Sequence, residues 1–173
     1  MRRPMAYEEI TALLGGWPGF VIREVTLQPG GTASGAPQVT ICLDAVPTAR
    51  RYCSRSGHAS AQVHDVADRR IRGLPILDAE TWLVVPQARV VCATCGPTVE
   101  ALPWLDRYAR MTRRFVDSVA RLTAVLPIQQ VADWFGLSLD TVRAIDQAAM
   151  EARLVTWRNA SFEPSASGSR MSS

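Results

Sequence analysis

The sequence predicts an α+β chain in two parts, a β-rich N-terminal module followed by an all-helical one. Three observations carry that reading. Alternating apolar runs are confined to the first hundred residues, apolar spacing of three and four begins at Pro103, and a close cysteine pair lies where the patterns meet. At 173 residues, 47% apolar and 20% charged, the chain has the material for one ordinary domain or two small modules.

The elements follow in order. Tyr7, Ile10, Leu13 and Leu14 form a short helical pattern that stops at Gly15-Gly16. Phe20 to Leu27 and Val39 to Val46 are β-rich runs separated by Pro29-Gly30-Gly31 and further Gly and Pro, which predicts a hairpin with a loose loop. Arg69 to Leu74, and Thr81 to Val85 continuing through Arg89-Val90-Val91, predict two more strands, the second leading into Cys92. Trp104, Tyr108, Met111, Phe115, Val119, Leu122 and Leu126 then recur at steps of three and four, predicting one helix of about six turns that Pro127 ends. Arg107, Arg110, Arg114 and Arg121 share another face of that helix, with Asp117 spaced to pair with Arg114 and Arg121. Asn159 to Ser173, with six Ser, reads as a disordered tail. The resulting domains are a lead-in over 1–19, a β-rich module over 20–100, a helical module over 103–157 and a tail over 158–173.

Charge is modest in sum and uneven in place. Nineteen basic residues, every one Arg, face sixteen acidic ones for a net +3. From Arg50 to Arg121 twelve Arg face seven Asp and Glu, a local +5, which leaves −2 on the rest. The total excludes a polybasic tail and an acidic disordered chain. The absence of Lys is read first as coding bias and second as selection for bidentate phosphate contacts. No apolar run reaches the roughly 18 residues of a membrane span, and Met1 to Ile10 is not a signal peptide, so a cytoplasmic protein without membrane partners is expected.

Four Cys, two of them in Cys92-Ala93-Thr94-Cys95, point to metal ligation in a reducing compartment rather than to disulfides. A CxxC turn directs two sulfurs and several backbone N–H groups inward, and a structural zinc site needs two further ligands. Cys53 is the third, heading Cys53-Ser54-Arg55-Ser56-Gly57, which has the shape of a second knuckle with Ser56 in place of its second Cys. His58, or less readily His64, would complete a three-Cys, one-His site for structural Zn²⁺. The predicted fold is therefore zinc-ribbon-like, with a ribbon held by its strands alone as the alternative. Cys42 alternates against Val39, Ile41 and Leu43 and is not expected to contribute. A catalytic metal is disfavoured because no carboxylate stands beside the knuckles as a general base, and thioredoxin-like redox chemistry because the βαβ setting is missing.

The sharpest pattern runs from Pro127 to Ile145. A short helix carrying Val131, Ala132 and Phe135 ends at Gly136, Leu137 packs beneath the turn, Ser138 caps a second helix, and Val142 and Ile145 are its buried positions. This fills each position that a helix-turn-helix constrains, although an ordinary helical hairpin shares part of the pattern. On the exposed face Arg143 suits guanine, Thr141 and Gln147 suit bases or phosphate, and Asp140 can accept from cytosine N4, beside the cap Ser138. Phosphate affinity would come from Arg107, Arg110, Arg114 and Arg121, and from the ribbon residues Arg50, Arg51, Arg55, Arg69, Arg70 and Arg72.

In order, Ala49-Arg50-Arg51-Tyr52-Cys53 with Ser56-Gly57, His64, Arg69 to Pro75, Arg89 to Cys95, Ala109 to Phe115 and the helix-turn-helix resemble the N-terminal half of ISL-three family insertion-sequence transposases. The resemblance runs from about Phe20 to Ile145. It implies a zinc ribbon and helix-turn-helix that recognise terminal inverted repeats in double-stranded DNA, ahead of an RNase H-like domain with three acidic metal ligands. Two departures stand out: Ser56 occupies a usual ribbon Cys position, and nothing after Ile145 builds the catalytic domain. The expectation is a truncated, nucleoid-associated DNA-binding portion without strand transfer, forming a homodimer or associating with an intact transposase. Competing readings are a nuclease using Asp133, Asp140 or Asp146, whose positions suit helix surfaces better, and a protein-interaction or regulator-like module.

Overall fold

Alternation of buried and exposed side chains builds the first part of the chain into sheet. The computed structural model describes residues 16–30, 35–60 and 62–160, with side chains through residue 157. The chain divides into two units, 1–118 and 119–173. The predicted helix at 7–14 lies outside the described residues.

In the first unit, β1 (Phe20–Gln28) and β2 (Gln38–Ala45) form the expected antiparallel hairpin. After β3 (Arg51–Tyr52) and β4 (Ala59–Ser60), which pair with each other, come β5 (Val63–Arg72), β6 (Glu80–Cys92) and β7 (Gly96–Val99). The main sheet has the order β1-β2-β6-β5, and β7 pairs with the end of β6. Strand β6 is its spine: residues 80–84 run parallel to β2, most of its length pairs antiparallel with β5, and 89–92 pair with β7. Its alternating Thr81, Leu83 and Val85 are buried, as the period of two requires. Phe20, Ile22, Ile41, Leu43, Ile71, Leu83, Val85, Leu102 and Leu105 form the core, and Trp104 meets Phe20 edge to face at 5.8 Å.

The six-turn helix does not form. Helix α1 (Arg113–Leu122) starts nine residues later than Trp104, because residues 110–112 are drawn into sheet-like pairing. Arg72 N–H donates to the Arg110 carbonyl at 2.8 Å, and Thr112 N–H to the Arg72 carbonyl at 3.0 Å. The Thr112 hydroxyl then accepts from Phe115 N–H at 3.3 Å and opens the helix. Trp104 joins the sheet core instead of a helix stripe, and Tyr108 is 63% exposed.

In the second unit, α2 (Ile128–Phe135) and α3 (Leu139–Ala160) follow the end of α1. Val119, Val131, Ala132, Phe135, Val142 and Ile145 are its buried apolar side chains. Asn159 and Ala160, expected in the tail, continue α3, since a helix once started propagates at little cost. The remainder of the tail lies outside the described residues.

Candidate functional site

Two short turns build the cysteine cluster. The β3–β4 hairpin carries residues 53–58, closed by Cys53 N–H to the His58 carbonyl at 2.8 Å and Gly57 N–H to the Cys53 carbonyl at 2.9 Å. The N–H groups of Arg55 and Ser56 both point at Cys53 Sγ, at 3.4 Å. At the end of β6, residues 92–95 turn back into β7, and Gly96 takes the left-handed φ of 68° that the turn demands. Buried Glu100 ties β6 to β3, the strands that lead into the two turns: it accepts from Ala88 N–H at 2.7 Å and pairs with Arg51 at 3.3 Å, while Ala101 N–H reaches the Tyr52 carbonyl at 2.7 Å. Burial raises the Glu100 pKa, against the pull of the Ala88 N–H and Arg51.

The sulfurs of Cys53, Cys92 and Cys95 lie within 4.8 Å of one another, as their spacing predicted. A tetrahedral zinc with Zn–S near 2.3 Å needs sulfurs about 3.8 Å apart, so the trio fits with a small contraction. Ser56 Oγ is 3.4 Å from Cys92 Sγ, and Thr94 Oγ1 is 3.2 Å from Cys92 Sγ and 3.7 Å from Cys95 Sγ. The Ser56 hydroxyl first, then the Thr94 hydroxyl and the N–H groups of Thr94 and Cys95, lower the Cys92 pKa to about 5. Ser56, through its hydroxyl and then its N–H, also lowers that of Cys53.

The expected histidine does not join the three cysteines. His58 is exposed, and its imidazole is not among the clustered ligand atoms, while its carbonyl closes the turn. His64 is exposed beside Asp65 at 3.6 Å, and half-buried Cys42 is likewise outside the cluster. The hydroxyls of Thr94 and Ser56 stand beside the sulfurs instead, at 3.2 and 3.4 Å from Cys92 Sγ. By residue type Ser56 is a thiolate lost from the knuckle, but its hydroxyl still reaches the neighbouring sulfur.

Helix α2 ends in the predicted way. Gly136 adopts φ 60° and ψ 42°, and its N–H and that of Leu137 return to Asp133 and Ala132 carbonyls. Ser138 Oγ accepts from Thr141 N–H at 3.2 Å and caps α3. With Val142 and Ile145 buried, Asp140, Arg143, Ala144 and Gln147 are exposed, while Thr141 is half-buried with its hydroxyl 2.8 Å from Ser138 Oγ. Arg143 lies 3.4 Å from Asp140, and Gln147 donates to Glu151 at 3.0 Å. Both are solvent-facing contacts that a stronger partner can replace at little cost.

The remaining arginines are not one stripe. Arg114 and Arg121 are exposed on α1, but Arg107 and Arg110 precede the helix. Arg70 is exposed with its guanidinium 4.4 Å from the Trp82 ring centre. Arg69 is engaged by Gln87 at 2.6 Å and the Ala109 carbonyl at 2.8 Å. Arg72 is 8% exposed and paired with Glu80 at 2.6 Å, so its charge is committed inside the fold.

These features define a helix-turn-helix protein with a thiol cluster on a β-rich unit. Residues 100–149 match the family model for the helix-turn-helix domain of transposase family ISL3. The transposase for insertion sequence element IS1001 of Bordetella parapertussis is 36% identical over 141 residues, 80% of this chain and 33% of that protein. The transposase for insertion sequence element IS1557 of Mycobacterium tuberculosis is 32% identical over 135 residues, 78% of this chain and 30% of that protein. No solved structure matches significantly. Over most of its length the chain is thus similar to one portion of these insertion-sequence transposases, and residues 100–149 carry the ISL3-type helix-turn-helix domain. It spans about a third of the length of these curated relatives. Among the described residues no helix is long and apolar enough to cross a membrane.

Proposed function

We propose that this chain recognises the terminal inverted repeats of an insertion sequence as double-stranded DNA, and we assign no strand-transfer step to the described residues. The observation that carries the proposal is the α2–Gly136–α3 turn, which buries Val142 and Ile145 and leaves Arg143 and Gln147 outward on the second helix. In a helix-turn-helix that face enters the major groove, where Arg143 meets guanine O6 and N7. Thr141 and Gln147 add base or phosphate contacts, and Asp140 faces cytosine N4. Exposed Arg70, Arg107, Arg110, Arg114 and Arg121 supply phosphate contacts. The functional modules are the β-rich region over 20–100 and the helical one over 103–157, acting on nucleoid DNA in the cytoplasm as a homodimer or beside an intact transposase.

Structural zinc belongs to the same proposal, held by the Cys53, Cys92 and Cys95 thiolates, with Ser56 beside the fourth position. Bound there, the ion would lock the two turns together.

Binding to duplexes carrying the repeats, against scrambled duplexes of equal length, tests this reading. With roughly five phosphate contacts, the slope of log K against log salt is expected near −4 to −5. Arg143→Ala should cost about 1–3 kcal/mol on the repeats and little on scrambled DNA. Equal affinity of the unaltered chain for both duplexes would sink the proposal.

A further inference from the structure

Beside the cysteine cluster, within the first unit, lies a cavity of about 360 Å³ whose polar lining is strongly basic. Arg55 comes from the 53–58 turn, Arg89 from β6 and Arg107 from the segment before α1, three arginines from distant points of the sequence. No acidic side chain lines it. Arg89 has a carboxylate neighbour in Asp65 at 3.9 Å, while Asp106, next to Arg107, is occupied by Arg113 at 2.7 Å. Neither Arg55 nor Arg107 has an acidic partner among the described residues. Arg55 and Arg107 thus bring charge to the cavity without a carboxylate partner, and Arg89 with one only at 3.9 Å, a positive lining that favours an anion.

Two further features point the same way. Tyr108 lines the cavity with φ at 62°, a left-handed conformation that a side-chain-bearing residue adopts only when its surroundings hold it there. The Ala109 N–H to Asp106 bond at 3.0 Å and the Arg69 contact to the Ala109 carbonyl hold it there. In that pose its ring lies against the Arg107 guanidinium at 4.6 Å, and its hydroxyl accepts from Arg107 at 2.9 Å. Thr98 also lines the cavity, is 6% exposed, and its buried hydroxyl has no partner among the described residues.

We propose that this pocket binds one phosphoryl group through Arg55, Arg89 and Arg107; on the DNA-binding reading, on which this rests, that group is a backbone phosphodiester. The planar guanidinium forks suit phosphate oxygens, and Thr98 offers a hydroxyl donor. Arg55 ties the pocket to the thiol cluster, since its own N–H points at Cys53 Sγ.

The test has two arms on the full chain, with Arg89→Gln as the variant and Arg107→Gln as a second should the first unfold. In one arm inorganic phosphate is titrated at constant ionic strength while the arginine Nε–Hε resonances are followed by NMR. Saturable shifts at Arg55, Arg89 and Arg107 are expected, weakened at least about fivefold in the variant. In the other arm duplex DNA binding is measured across salt, and the variant should lose about 0.9 of the slope with its preference for the repeats intact. Response in both arms supports a phosphodiester site. If phosphate saturates while the variant binds DNA as the unaltered chain does, the group is free phosphate and the phosphodiester assignment falls. If the unaltered chain ignores DNA while phosphate saturates, the DNA reading falls and the pocket stands. No response in either arm overturns the pocket.

Discussion

Ser56 Oγ, 3.4 Å from Cys92 Sγ, is the main group lowering the Cys92 pKa. Its hydroxyl stabilises the thiolate, so Ser56→Ala should raise the Cys92 pKa from about 5 toward the ordinary thiol range. Thiolate ultraviolet absorbance of metal-free protein, followed across pH, reads this directly. The sign for stability follows from the same shift. Because the folded thiol is the stronger acid, its contribution is complete above the unfolded value of about 8.5 and is lost as pH falls through about 5. Metal-free protein should therefore melt at progressively lower temperature across that window, and Ser56→Ala should flatten the trend; an unchanged trend would refute the hydroxyl's role. Cys53, Cys92 and Cys95 were legible in the sequence because CxxC-type turns are local. His58 lies outside the cluster despite its closeness in sequence, because proximity along the chain does not fix where an imidazole faces.

At the scale of elements, the α2–α3 pair was the most legible part of the chain. Its determinants sit within twenty residues: Gly136 for the left-handed turn, Ser138 for the cap, and Val131, Phe135, Val142 and Ile145 for the buried faces. Gly136→Ala should destabilise the protein by about 1–2 kcal/mol, because a Cβ is disfavoured at φ 60°, whereas Gly136→Asn should cost less. Denaturant unfolding of the two variants decides it, and equal stability of Gly136→Ala and the parent would show that the turn tolerates a Cβ. The segment ahead of α1 was illegible for the opposite reason. Its spacing is helical from Trp104, but Arg72, nearly forty residues upstream, takes the hydrogen bonds of Arg110 and Thr112. A non-local partner outcompeted a local pattern, and no periodicity announces such a partner.

For the whole molecule, the central excess of arginine was visible in the sequence, but its division of labour was not. Arg72 and Arg69 brace the β-rich unit, Arg51 neutralises buried Glu100, and Arg55, Arg89 and Arg107 gather around one cavity. Composition gives the sum of charges and cannot say which are already answered within the fold. The thiol cluster has a further effect on the chain as a polymer. Cys53 and Cys92 are 39 residues apart, and the intervening stretch contains β4, β5 and most of β6. Zinc held there as proposed would act as a cross-link, and a closed ring of that length removes configurational entropy from the denatured chain worth about 4 kcal/mol on the scale used for disulfides. Removing zinc with a chelator should lower the unfolding midpoint, and Cys53→Ser should reproduce most of the loss; equal unfolding midpoints with and without zinc would refute this. The ion would then govern refolding more than any surface it presents, by fixing in advance which distant stretch β6 meets.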